Sequence, residues 1–172
     1  MGLHTPLIGV RDGWARHTDF RHGIPSMILG ASEGTSEREQ LVASPDFTVL
    51  LIEDDEIVAD MYRLALIADG RSVVIARDGE EGLRVASDEG PDFIVLDVRL
   101  PKLNGLEVLS RLRTNPKTKE IPVIFLSNIG DPAMLERGSQ LGALEFMIKA
   151  QTTPSQLSSR IAEHERWTRQ PS

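Results

Sequence analysis

A chain of 172 residues with a net charge of -7 is long enough for one domain with a full core. The acid excess argues against nucleic acid as the main partner, since neutralising phosphates needs clustered Lys and Arg. The sequence has no cysteine, which excludes disulfides and thiolate metal sites and fits a cytoplasmic setting. Its apolar runs are too short to span a bilayer, and no basic start precedes an apolar run, so neither a membrane partner nor a signal peptide is expected.

Residues 1–45 read as a disordered extension. They carry Gly, Ser, Pro and three of the four histidines without sustained periodicity, and Gly30-Ala-Ser-Glu-Gly-Thr-Ser-Glu-Arg-Glu-Gln40 reads as a polar linker. His4, His17 and His22 match no metal-ligand spacing and read as scattered surface histidines. Met27 is an alternative start. Mass spectrometry of the native N-terminus tests this, and peptides from Met1 to Ser26 would rule it out.

From Thr48 onward the pattern changes. Thr48-Val-Leu-Leu-Ile52 reads as a buried strand, followed by a helix with Ile57, Met61, Leu64, Ala65 and Ala68 on its apolar face and Gly70 as its C-terminal cap. Ser72–Ala76 is the second strand. Asp78 and Glu81 suggest a capping box for a second helix with Leu83 and Ala86 inward. Asp92 to Asp97 is the third strand, and Leu106, Leu109 and Leu112 mark the third helix. Ile121 to Leu126 is the fourth strand, with Pro122 tolerable near its start. Asp131-Pro132 supplies an N-cap and first-turn proline for a fourth helix. Ala143 to Ile148 is the fifth strand. Thr153-Pro154 opens a fifth helix with Leu157 and Ile161 inward. Trp14 and Trp167 read as packing or linker residues.

Alternating strands and helices predict an α/β fold, a parallel sheet covered on both faces. The expected domain spans residues 46–167, with 168–172 as a tail that leaves no room for a second domain. In a parallel sheet the C-terminal strand ends share one rim, where open α/β sheets do their chemistry. Strand one ends in Glu53-Asp54-Asp55, strand three in Asp97, strand four in Ser127 and strand five in Lys149. Crowded carboxylates raise one another's pKa, and a hard divalent cation such as Mg2+ relieves that cost while bridging to phosphate oxygens. A carboxylate can also attack phosphorus and hold the group as an acyl phosphate.

These residues resemble the response-regulator receiver domain of two-component signalling, from about Thr48 to Trp167. The matching motifs are Leu51-Ile-Glu-Asp-Asp-Glu56, Ile94-Val-Leu-Asp97, Leu100-Pro101 with Asn104-Gly105, Pro122-Val-Ile-Phe-Leu-Ser127 and Gly142-Ala-Leu-Glu-Phe-Met-Ile-Lys149, in order and spacing. The resemblance implies a flavodoxin-like doubly wound five-stranded sheet of order 2-1-3-4-5. It implies Asp97 as phosphoacceptor, Glu53 and Asp54 as the acidic pair for Mg2+, and a backbone carbonyl from Arg99 to the metal. Asp55, one place further on, reads as a helix-start residue. Ser127 is then the switch hydroxyl, Phe146 the switch aromatic that turns inward on activation, and Lys149 the partner of the phosphoryl oxygens. The implied role is a phosphorelay switch charged by a histidine kinase or histidine phosphotransfer protein, acting on a downstream protein by contact or onward phosphotransfer. It is not a turnover enzyme, beyond its own phosphotransfer and autodephosphorylation.

Three positions depart from the family pattern. Asn128 stands where a small residue is common and narrows access to the phosphoryl group. Phe146 lacks the hydroxyl a tyrosine would offer. Ala150 follows Lys149 where the family has a cis proline; a cis bond before a non-proline costs roughly 3–4 kcal/mol, against about 0.5–1 before proline, so the bond is either trans or strained. Two other readings stay open: a receiver-like interaction module that is never phosphorylated, and an aspartyl-phosphate phosphatase. Such enzymes place a second Asp two residues after the first, where this chain has Arg99.

Overall fold

The computed structural model describes residues 47–128 and 132–169. The expectations for the extension, His4, Trp14, His17, His22, Met27 and the Asp131 cap fall outside them. The element order is β1 (Thr48–Ile52), α1 (Glu56–Ala68), β2 (Ser72–Ala76), α2 (Gly79–Glu89), β3 (Phe93–Leu96), α3 (Gly105–Thr114), β4 (Val123–Ser127), α4 (Pro132–Gln140), β5 (Glu145–Ile148) and α5 (Pro154–Arg169), with a 3-10 turn at Lys149–Gln151 between the last two. All strand pairs are parallel, in the order β2-β1-β3-β4-β5.

The strands are apolar on both sides because both faces are covered. Val49 and Leu51 of β1, with Phe93 and Val95 of β3, meet Ala59, Tyr62 and Leu66 of α1 and Leu157 and Ile161 of α5. Their alternates Leu50, Ile52, Ile94 and Leu96 pack on Val85 and Ala86 of α2 and Val108, Leu109 and Leu112 of α3. All four β3 side chains are fully buried. Each contributes about 1.5–3 kcal/mol of transfer free energy, which makes β3 a rigid base for the residue after it.

Local signals mostly land where expected. Asp55 caps α1, its carboxylate accepting from the N–H groups of Ile57 and Val58 at 2.9 and 3.1 Å. Gly70 has a φ of 87° and ends that helix. Thr153 and Gln156 bond reciprocally at the start of α5. The α2 box is displaced by one residue. Asp78 accepts from Glu81 N–H at 2.9 Å, but the Glu81 carboxylate takes the N–H of Arg77, at 2.7 Å.

Two expectations are corrected. The apolar stripe of α1 faces solvent: Ile57 is 83% exposed and Leu64 60%, whereas Ala59, Tyr62 and Leu66 on the opposite side are buried. Helix α1 carries two apolar stripes at helical spacing, and the one with a ring and a small residue fits beneath α5. Trp167 does not pack either. It is 83% exposed, and α5 runs two residues past it to Arg169. Helix α5 is instead tied down by the buried Arg71, whose guanidinium donates to Ser158 Oγ at 2.6 Å and pairs with Glu165 at 3.5 Å. Among the described residues no helix is long and apolar enough to cross a membrane.

Candidate functional site

The site gathers at the C-terminal rim of the three central strands. Asp97 follows β3 and donates its backbone N–H to Ile52 O at 3.0 Å, extending the β1–β3 pairing by one residue. Its loop is held from below by α3: Gly105 N–H donates to Val98 O at 2.8 Å. A Cβ on Gly105 would collide with the carbonyl of Asp97 and the Cα of Val98, so glycine is required there by close approach. Asn104 closes a full capping box with Glu107 that fixes where α3 begins.

Lys149 leaves the end of β5, two strands away, and reaches back. Its Nζ lies 2.5 Å from Glu53 Oε2 and 2.6 Å from Asp97 Oδ2. The Glu53 and Asp97 side chains are buried and Lys149 is partly so, and the ammonium is shared between two carboxylates. Burial pushes the Glu53 carboxyl up, an effect its bond to Lys149 only partly offsets. For Lys149, burial pulls the ammonium down, but the bonds to Asp97 and Glu53 together outweigh it and raise it above the usual lysine range. Asp97 Oδ1 accepts from the Arg99 N–H at 3.1 Å.

Asp54 stands exposed at the mouth. One oxygen each from Glu53, Asp54 and Asp97 lie within 4.8 Å of one another. Three hard oxygen donors converging at that spacing, with one lysine neutralising only part of their charge, fit a divalent cation. The rim encloses a cleft of about 250 Å3 that Arg99 and Asn128 also line. Arg99 is an exposed residue at the cleft.

Ser127 ends β4, buried, paired in register with Ile148, the residue before Lys149. Phe146 is one step below, opposite Phe125. The two rings stack at 4.6 Å with a 20° tilt, and the Phe146 edge rests on Gly138 of α4. The Lys149–Ala150 bond is trans. The sequence reading missed Tyr62, Val58 and Gly138. Val58 lines the cleft; none of the three stood out in the sequence, since Tyr62 and Val58 lie off the stripe that periodicity selected and Gly138 is required by a distant ring. A wider cleft of about 660 Å3 opens at the opposite end of the sheet. Two of its charged residues serve the backbone: Arg113 bonds the carbonyls of Lys119, Ile121 and Gly142, and Asp92 accepts from Thr48 N–H.

Residues 49–162 match the family model described as the response regulator receiver domain. The chain belongs to that family. The receiver domain is 37% identical over 102 residues to the transcriptional regulatory protein AfsQ1 of Streptomyces coelicolor, covering 59% of this chain and 44% of that one. It is 35% identical over 113 residues to the alkaline phosphatase synthesis transcriptional regulatory protein PhoP of Bacillus subtilis, covering 66% and 46%. Among solved structures, the receiver domain of Francisella response regulator 1452 superposes with a TM-score of 0.66 at 26% identity, covering 72% of this chain and all of that one. The chain spans about half the length of the curated relatives it matches. Those relatives are named as transcriptional regulatory proteins.

Proposed function

We propose that this receiver domain is a phosphorylation-dependent switch in the cytoplasm, with Asp97 as acceptor and a histidine kinase or histidine phosphotransfer protein as donor. The observation that carries the reading is the Lys149 ammonium bridging Glu53 and Asp97, with Asp54 beside them at one rim. An Asp97 oxygen attacks phosphorus. The new O–P bond forms as the donor's P–N bond breaks, and the electron pair returns to the donor imidazole, which takes up a proton. Lys149 turns from Asp97 to the phosphoryl oxygens, and the Ser127 hydroxyl donates to another of them. Glu53, Asp54, Asp97 and the Arg99 carbonyl would hold Mg2+, which when bound neutralises oxygen charge on phosphate and carboxylates alike.

The exposed stripe Ile57, Met61, Leu64 and Ala68 begins one turn from Asp54 and offers the donor an apolar helix face. Phosphoryl charge drawn in by Ser127 and Lys149 repacks Phe146 and reshapes the face of α4, β5 and α5, which a downstream protein reads. The receiver signals through protein contacts, and any DNA binding resides in other parts of a regulator. It turns over no substrate besides its own acyl phosphate.

Acetyl phosphate with Mg2+ should label wild type on one residue, with beryllium fluoride perturbing the same site, and Asp97→Asn should lose both responses. Label on Asp97→Asn would place the acceptor elsewhere. A wild type that takes no label would make the domain an unphosphorylated binding module.

A further inference from the structure

Lys149 sits at the root of a loop with nothing in its own sequence to stiffen it. Ala150 leaves φ free, where a proline would fix it. The turn that carries the ammonium to Glu53 and Asp97 is therefore held by hydrogen bonds. The first is internal: Thr152 N–H donates to Lys149 O at 3.3 Å and closes the 3-10 turn Lys149–Gln151. The second comes from α1. The Tyr62 hydroxyl donates to Thr152 O at 2.9 Å, across 90 positions in the chain, with the ring 1% exposed.

We propose that Tyr62 is a positioning residue for Lys149: its hydroxyl, bonded to Thr152 O, anchors the turn that holds the ammonium between Glu53 and Asp97. The proposal rests on the reading of Asp97 as phosphoacceptor and extends it to helix α1. That helix serves the site at two points. At its start Asp55 is the cap, and Asp55 N–H donates to Glu53 Oε1 at 3.3 Å. Two turns on, Tyr62 holds the lysine arm. One rigid element thus sets both the acid and the cation facing it, and the 2.5 Å Lys149–Glu53 contact is fixed from both sides through α1. The ring fills core volume beside Leu66 and Leu157, a task phenylalanine could perform. The hydroxyl adds only the bond to the loop.

The test uses the full chain with two variants. Tyr62→Phe keeps the ring and removes the hydroxyl; Leu66→Ala damages the same buried face of α1 without touching the loop. Two readouts are taken below the melting transition of each. One is the rate at which acetic anhydride modifies Lys149 relative to Lys102 and Lys119, measured by peptide mass without phosphodonor. The other is the rate of Asp97 labelling by acetyl phosphate with Mg2+. Tyr62→Phe should raise Lys149 modification about threefold or more and slow labelling about three- to tenfold, as expected for a reactive group loosened by a fraction of an ångström. Leu66→Ala should melt earlier and leave both rates at wild-type values. Tyr62→Phe with wild-type Lys149 reactivity, or Leu66→Ala moving that reactivity as far, would overturn the proposal. If wild type takes no label, the phosphoacceptor reading fails by itself, and Lys149 reactivity still decides the role of Tyr62.

Discussion

Lys149 Nζ and Asp97 Oδ2 are 2.6 Å apart although their residues leave strands separated by β4 and lie 52 positions apart in sequence. The same ammonium holds Glu53, so one positive charge compensates two buried negative ones. Removing it leaves both carboxylates in a low-dielectric rim, where an unpaired charge is costly.

Lys149→Met is therefore expected to lose up to about 3 kcal/mol of stability at neutral pH. Much of the loss should return on acidification. Glu53 already has its folded pKa raised by burial, so the stability it contributes is present below the unfolded value and is lost as pH rises through the folded one. Without Lys149 that effect grows. In wild type the raised Lys149 keeps its contribution up to the ordinary lysine range and loses it as pH rises through the folded value. Urea unfolding of both proteins at acid, neutral and strongly alkaline pH checks both signs. Added Mg2+ should narrow the gap at neutral pH.

Asp54 is exposed, with its carboxylate at the mouth of the acid cluster. Asp54→Ala should leave stability nearly unchanged while weakening Mg2+ binding by about tenfold or more, the scale on which even outer residues of metal sites act. Titration calorimetry with Mg2+ measures it, and unchanged affinity would remove Asp54 from the ligand set.

Leu64 is 60% exposed on the outer stripe of α1. Leu64→Glu should alter stability by no more than about 0.5 kcal/mol, as for most surface changes. It should slow transfer from a phosphohistidine donor and leave labelling by acetyl phosphate intact. Equal slowing with both donors would mean that the stripe serves no docking role.

Gly138 lies under the Phe146 ring, where an added Cβ would overlap the ring edge. In an open helix Gly→Ala gains about 0.5–1 kcal/mol. Here overpacking at about 1–3 kcal/mol outweighs that gain. Gly138→Ala should thus destabilise the fold and drive Phe146 off Phe125. Loss of the ring-to-ring contact in NMR spectra reports the displacement, and Gly138→Ala should cost less stability in a Phe146→Ala background than in wild type.

Much of this protein is determined by its sequence alone. The runs Thr48–Ile52 and Ser72–Ala76 are strands to the residue, because a β-branched and aliphatic run between turn formers has no competing structure. Once the strands are parallel, their ends must share a rim, so Glu53, Asp54, Asp97, Ser127 and Lys149 converge there by topology. The caps at Asp55 and Thr153 are local hydrogen bonds and are legible for the same reason.

Tertiary structure decided what periodicity cannot rank. Helix α1 has two apolar stripes of equal spacing, and only the space beneath α5, with the Thr152 carbonyl waiting for a hydroxyl, selects Tyr62 and Leu66 over Met61 and Leu64. Gly105 and Gly138 look in sequence like ordinary helix glycines. Each is required by an atom from elsewhere in the chain, the Asp97 carbonyl in one case and the Phe146 ring in the other. Alternation and capping are encoded within a few residues, whereas the choice of buried face and close backbone approach exist only once distant segments have met.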